Sequence, residues 1–218
     1  MELQNKIVGI CGRKGTGKSV IARRILQAQS RVFLADLMGE HTWVPQRNIF
    51  ESLAEVEDFF AWAEAERHCC GSFIPQGDLK GEAEDLCEIV YDFGNVLFGI
   101  EEIASLCGPN WLPPALSKIA RLGRHQRLSV LYTTQRAGEV ARALTAATDV
   151  FVLFHCAEPR DLAAIAERCG NKTAEKVSNL ALHDFVIFDV VQRKEISLES
   201  LFSQMASLSK VVPTHTLR

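Results

Sequence analysis

Residues 6–29 read KIVGICGRKGTGKSVIARRILQAQ, a short apolar run, a glycine-rich loop and an amphipathic stretch in direct succession. The loop fits G-x-x-x-x-G-K-[ST] from Gly12 to Ser19. Its context gives the pattern a mechanism. A strand delivers the loop, and the glycines let successive backbone N–H groups converge on a phosphate. The following helix then adds the partial positive charge of its N-terminus. Lys18 is placed to reach the β- and γ-phosphate oxygens, and Ser19 to ligate Mg²⁺. The nucleotide-contacting run is read as Gly12, Arg13, Lys14, Gly15, Thr16, Gly17, Lys18, Ser19 and Val20. Four fixed positions arise by accident in only about one chain in a hundred of this length, and the strand and helix around them make an accident rarer still. The loop alone does not say what happens to the nucleotide, because its fuller form, Gly12-x-x-Gly15-x-Gly17-Lys18-Ser19, is equally at home in small-molecule kinases.

Outward from the loop, short β-rich runs alternate with longer helical patterns, the signature of a mostly parallel sheet with helices on both faces. Strands are predicted at 6–11, 31–36, 95–100, 128–133, 149–155 and 184–190. Helices are predicted at 18–29, 53–66, 80–92, 113–123, 137–146, 158–168 and 172–181. Residues 193–198 read as an antiparallel hairpin partner of the last strand, and the tail from Glu199 as a short helix and a frayed end. With 218 residues, 47% of them hydrophobic, one good core and a single domain over 1–218 are expected.

Two further strand ends carry chemistry. Val96–Ile100 is apolar and ends in Glu101-Glu102, and ligands of open parallel sheets gather at the carboxyl ends of strands. One acid there can hold hydrated Mg²⁺ and the next can polarise an attacking water. Glu101 is read as the metal ligand, standing where Asp is usual, and Glu102 as the catalytic base. The plainer alternative is that both acids open the next helix and favour its dipole. The strand before Thr133-Thr134-Gln135 would set Gln135 between the phosphate loop and the acidic strand, within reach of the γ-phosphate or the water. Arg124 precedes that strand at its opposite end, too far to serve its own nucleotide.

The set of P-loop, Asp36 with Gly39-Glu40 after the second strand, Ile100-Glu101-Glu102, Gly123-Arg124-His125 and Thr134-Gln135-Arg136 resembles the HerA/FtsK superfamily of ring-forming DNA-translocating ATPases, over roughly residues 6 to 160. The resemblance implies a RecA-like P-loop NTPase core of the ASCE type, a hexameric ring and ATP held between subunits. It also implies Gln135 as γ-phosphate sensor and Arg124 as an arginine finger supplied in trans. With the P-loop starting at residue 12, a bare motor is expected, most similar to the genome-packaging ATPases of tectivirus-like viruses with double jelly-roll capsids and an internal membrane. Its partners would be double-stranded DNA, further copies of itself, and capsid or membrane-vertex proteins. A small-metabolite kinase, a non-packaging HerA-like ATPase and a nucleotide-dependent switch remain as alternatives.

Composition limits where DNA can touch. A net charge of −3 supplies no general field for nucleic acid, so contacts would come from a local patch. Lys118, Arg121, Arg124 and Arg127 recur at three-residue spacing and form one such patch, or a solvated helix face. The turn-rich run 71–81 offers a weak pore-loop candidate with Lys80 as its only base. Phe59, Phe60 and Trp62 read as core packing, whereas Trp43 and Trp111 read as loop residues at an interface. Seven scattered cysteines, several in apolar runs, suit reduced thiols in a cytoplasm, and His68-Cys69-Cys70 lacks a second pair at zinc spacing. No run approaches a membrane span or a leader peptide, so a cytoplasmic protein is expected, in a host cytoplasm or at a virion vertex if viral.

Overall fold

The computed structural model describes residues 5–39 and 41–206, with side chains described as far as Phe202. Glu40 and the tail from 207 lie outside the described residues. The strands are β1 (Ile7–Cys11), β2 (Arg31–Ala35), β3 (Ile49–Phe50), β4 (Cys69–Phe73), β5 (Leu97–Ile100), β6 (Ser129–Thr134), β7 (Val150–Phe154), β8 (Phe185–Asp189) and β9 (Lys194–Ile196). They form one sheet in the order β3-β4-β2-β5-β6-β1-β7-β8-β9. All neighbours from β3 to β7 run parallel, while β8 pairs antiparallel with β7, and β9 antiparallel with β8. The expected α/β architecture and the closing hairpin are both present.

The helices are α1 (Lys18–Gln27), α2 (Leu53–Ala63), α3 (Leu79–Phe93), α4 (Pro114–Leu122), α5 (Arg142–Ala147), α6 (Pro159–Cys169), α7 (Asn171–Ser178) and α8 (Leu198–Ala206). A strand turns successive side chains to opposite faces, and here both faces are buried. Phe33, Phe98, Val130, Tyr132, Phe151 and Leu153 point into one core, closed by buried residues of α2 to α7. Val32, Leu34, Leu97, Leu131, Val150 and Val152 point into the other, closed by Ile21, Ala22, Ile25 and Leu26 of α1 and Leu201 of α8. Helices therefore cover both faces, but unequally.

Three details differ from the sequence expectation. The edge strands β3 and β4 were not foreseen, and Gly71–Phe73, read as the start of a turn-rich loop, lie inside β4. A Cβ at Gly71 would stand 3.0 Å from the rings of Phe33 and Phe59. The glycine there makes room for aromatic packing rather than for a turn, which removes 71–73 from any pore loop. The helix expected at 137–146 is a 3-10 turn at Ala137–Glu139 followed by α5. Arg136 and Asp161 explain the break: the buried Asp161 carboxylate accepts from Arg136 Nε at 3.0 Å and from the Gly138 N–H at 2.9 Å, which holds the chain out of helical register. Trp43, expected at an interface, is partly buried against the α1-side core. Phe59 and Phe60 are core residues as expected, whereas Trp62 is half exposed against Phe59.

Candidate nucleotide site

The sheet order decides the site. β6 lies between β1 and β5, pairing Cys11 with Thr134 and Ile100 with Tyr132. The phosphate loop, the Thr134-Gln135 end and the Glu101-Glu102 end therefore open side by side at one edge, at the carboxyl ends of three adjacent parallel strands.

The loop is anchored at both flanks, since the Gly12 N–H donates to the Thr134 carbonyl at 3.2 Å and the Arg13 N–H to the His155 carbonyl at 3.4 Å. The Arg13 carbonyl accepts from Thr16 Oγ1 at 2.8 Å and from Lys18 Nζ at 3.0 Å, so it cross-braces the turn. Two glycines are required here. A Cβ at Gly12 would lie 2.5 Å from Phe154 Cβ, and Gly17 takes φ 103 as it enters α1, a conformation costly for any residue with a side chain. Arg13, Lys14, Gly15, Ser19 and Val20 are exposed, and Lys18 is buried. That burial lowers the ammonium pKa, and the Glu102 carboxylate is the largest influence pulling it back up. A cation and an anion thus face one another across the cleft.

Glu102 is held by its neighbours on β6. Its N–H donates to Thr133 Oγ1 at 3.1 Å, and its carboxylate accepts from Thr134 Oγ1 and from the Gln135 N–H at 3.2 Å. Its backbone is left-handed, φ 42 and ψ 61, a state costing a non-glycine residue about 1 kcal/mol or more. The threonine and backbone donors fix this conformation and turn the carboxylate toward β6. The thought that the two acids simply start a helix does not hold: Ile103–Ser105 is a single 3-10 turn.

Glu101 meets residues from the turn after β2. His41 Nε2 lies 3.0 Å from Glu101 Oε1, and Asp36 accepts the His41 N–H at 3.0 Å. Trp43 Nε1 donates to His41 Nδ1 at 3.0 Å. Reading the sequence singled out Asp36 but missed His41, Trp43 and Asp161. The signal available was a histidine five residues beyond an acidic strand end, which has no meaning until β2 is known to adjoin β5.

Arg124 sits in a 3-10 turn, Gly123–Gln126, that leads into the amino end of β6. Six residues of strand at roughly 3.3 Å each separate it from the nucleotide end, and it is exposed. Of its spaced partners, Lys118 is tied to Glu88 at 2.6 Å and lies over the Tyr91 ring at 4.2 Å, so it belongs to the α3–α4 contact rather than to a free basic patch. All seven cysteines are free thiols, five of them buried.

These features define the fold as that of the P-loop ATPases. No family model matches the chain, and no curated protein matches its sequence. Among solved structures it is similar to the genome-packaging NTPase B204 of Sulfolobus turreted icosahedral virus 2 in complex with ATP-gammaS. That likeness has a TM-score of 0.73 at 21% identity, and covers 88% of this chain and 95% of that one. The AMPPCP complex gives a TM-score of 0.71 with the same identity and coverage. The pCW3 conjugation coupling protein TcpA with ATPgS is similar at a TM-score of 0.55 and 16% identity, covering 84% of this chain and 57% of that one. No helix among the described residues is long and apolar enough to cross a membrane.

Proposed function

We propose that the chain is an ATP-driven double-stranded DNA translocase, a viral or prophage genome-packaging motor that hydrolyses ATP at the interfaces of a homo-oligomeric, hexameric ring. The observation that carries this reading is the Glu102 carboxylate, held by Thr134 and Gln135 on β6 and facing Lys18 across the phosphate loop. A site built for transfer to a small acceptor needs room for that acceptor, whereas a fixed carboxylate at this position suits a water. The likeness to B204, described as a genome-packaging NTPase, supports packaging as the use of that hydrolysis.

The loop amides from Gly12 to Ser19 cradle the phosphates, with Val20 at the edge, and Lys18 neutralises the β- and γ-oxygens. Ser19, exposed at the first turn of α1, and Glu101, at the end of β5, are hard oxygen donors that fit Mg²⁺. When bound, the ion neutralises charge on the phosphates. Glu102 takes the proton of the attacking water, and Gln135 reports the γ-phosphate to the segment braced by Arg136 and Asp161. Arg124, remote from its own site, stabilises transition-state charge at a neighbour's. DNA is held through its backbone without sequence preference, the ring docks on capsid or membrane-vertex proteins, and the motor works in the cytoplasm or at the virion vertex.

Lys18→Ala is expected to abolish hydrolysis. Arg124→Ala is expected to abolish turnover while fluorescent-nucleotide affinity stays within about threefold, the pattern of a group used only in the transition state. Full turnover in Arg124→Ala would remove the trans finger from the account.

A further inference from the structure

Glu101 has one more methylene, and so one more torsion, than the aspartate usual at this strand end. A flexible carboxylate is a poor ligand for an ion that demands near-ideal octahedral geometry. The structure supplies a brace. His41 is 6% exposed and stands between Trp43 and Glu101. An indole N–H only donates, so the Trp43 contact at 3.0 Å makes His41 Nδ1 the acceptor. In the neutral ring the proton then resides on Nε2, the nitrogen 3.0 Å from Glu101 Oε1. That proton leaves Glu101 Oε2 and the outer lone pairs of Oε1 for other partners. Asp36, by accepting the His41 backbone N–H at 3.0 Å, fixes the turn that carries the ring.

We infer that Trp43, His41 and Asp36 form a positioning relay that pins the extra torsion of Glu101 and so lets a glutamate do the work of an aspartate at the nucleotide site. The inference rests on the ATPase reading for its consequence, though the relay's geometry stands without it. Ligand atoms of Asp36, His41 and Glu101 lie within 4.8 Å of one another, a spacing at which the three can also hold a metal ion. The tautomer argues against that use: ligation through Nε2 would move the ring proton to Nδ1, against the Trp43 N–H.

The test has a spectroscopic arm and a kinetic arm. In long-range ¹H–¹⁵N spectra of the labelled protein, with the His41 ring assigned by its loss in His41→Gln, the Nε2–H tautomer is expected, and Trp43→Phe is expected to mix the two tautomers. An Nδ1–H tautomer, or direct Zn²⁺ coordination shifts at Nε2 when that metal alone is added, would overturn the relay. In the kinetic arm, His41→Ala is expected to lower kcat about tenfold with KM within about twofold, as loss of ligand alignment does. His41→Gln keeps an N–H donor at similar reach and is expected to restore most of that loss. In a Glu101→Asp background, where the shorter side chain no longer reaches His41, adding His41→Ala is expected to change kcat by less than about twofold. Equal losses in both backgrounds would reduce His41 to a packing residue and refute the inference. Absence of hydrolysis in the unsubstituted chain would count against the ATPase reading, with the tautomer still deciding the relay.

Discussion

Gly9→Ala tests the packing that sets β6 beside the phosphate-loop strand. Gly9 pairs with Tyr132 across the β1–β6 ladder, and an added Cβ would stand 2.5 Å from Tyr132 Oη and 2.6 Å from Cζ. Ordinary contact begins near 3.4 Å, so the ring has to move by roughly 0.9 Å, well beyond what a close-packed interior absorbs without strain. Tyr132 is fully buried, and its hydroxyl is bonded to Thr148 Oγ1 at 2.9 Å. A shift of that size breaks the bond. Overpacking costs about 1–3 kcal/mol, and a buried hydroxyl without its partner about 1–3 kcal/mol more, so about 3 kcal/mol in total is a conservative expectation. For a domain of this length each kcal/mol moves Tm by roughly 2–4 °C, giving a drop of about 6–12 °C. Thermal unfolding followed by circular dichroism measures it directly. A change in Tm below about 2 °C would show that the ring has room to yield, and that the β1–β6 contact is not packed as described.

Two further outcomes concern the site and the core. Glu102→Gln removes the base but retains an oxygen able to accept from Thr134 and Gln135; single-turnover hydrolysis is expected to fall by about 10²–10⁴ with nucleotide binding kept, and a loss under about threefold would place the base elsewhere. Burial pushes the thiols up, Cys70 and Cys156 to about 11 and Cys169 to about 12, so the fold retains protons that the unfolded chain releases near the usual thiol value of about 8.5. Their contribution to stability is complete below that value and is lost as pH rises through the folded values. Tyr132, also raised by burial, acts in the same direction, while Lys18, lowered by burial, opposes it. The urea midpoint is therefore expected to fall between about pH 9 and 11, and a flat or rising profile would contradict the burial of these thiols.

What could be read in advance follows from where the chemistry is local. The phosphate loop is contiguous from Gly12 to Ser19, so its strand-loop-helix setting is written in one run of residues. The strands β1, β5, β6, β7 and β8 are nearly continuous apolar runs and announce themselves. β4 does not, because CCGSF carries a glycine and a serine that look like a turn until Phe33 and Phe59 occupy the space above Gly71. The break before α5 is equally hidden, since Asp161 lies 25 residues beyond Arg136 and their pairing is tertiary. His41 shows the same limit at the site. Glu101 was legible as an acid at a strand end, but the imidazole beside it comes from the turn after β2, and only the adjacency of β2 and β5 brings them together. The neighbourhood of Glu102 and Gln135 was legible because order within the sheet follows from where each strand's polar end must point.

The central claim is a motor that spends ATP on DNA in a ring of copies. The ATPase rate measured with and without double-stranded DNA, alongside sizing by light scattering with a non-hydrolysable ATP analogue, tests it most directly. Hydrolysis raised severalfold by DNA of any sequence, by a ring that forms with the analogue, is the expected result. A monomer whose turnover ignores DNA, or requires a small acceptor, would contradict it.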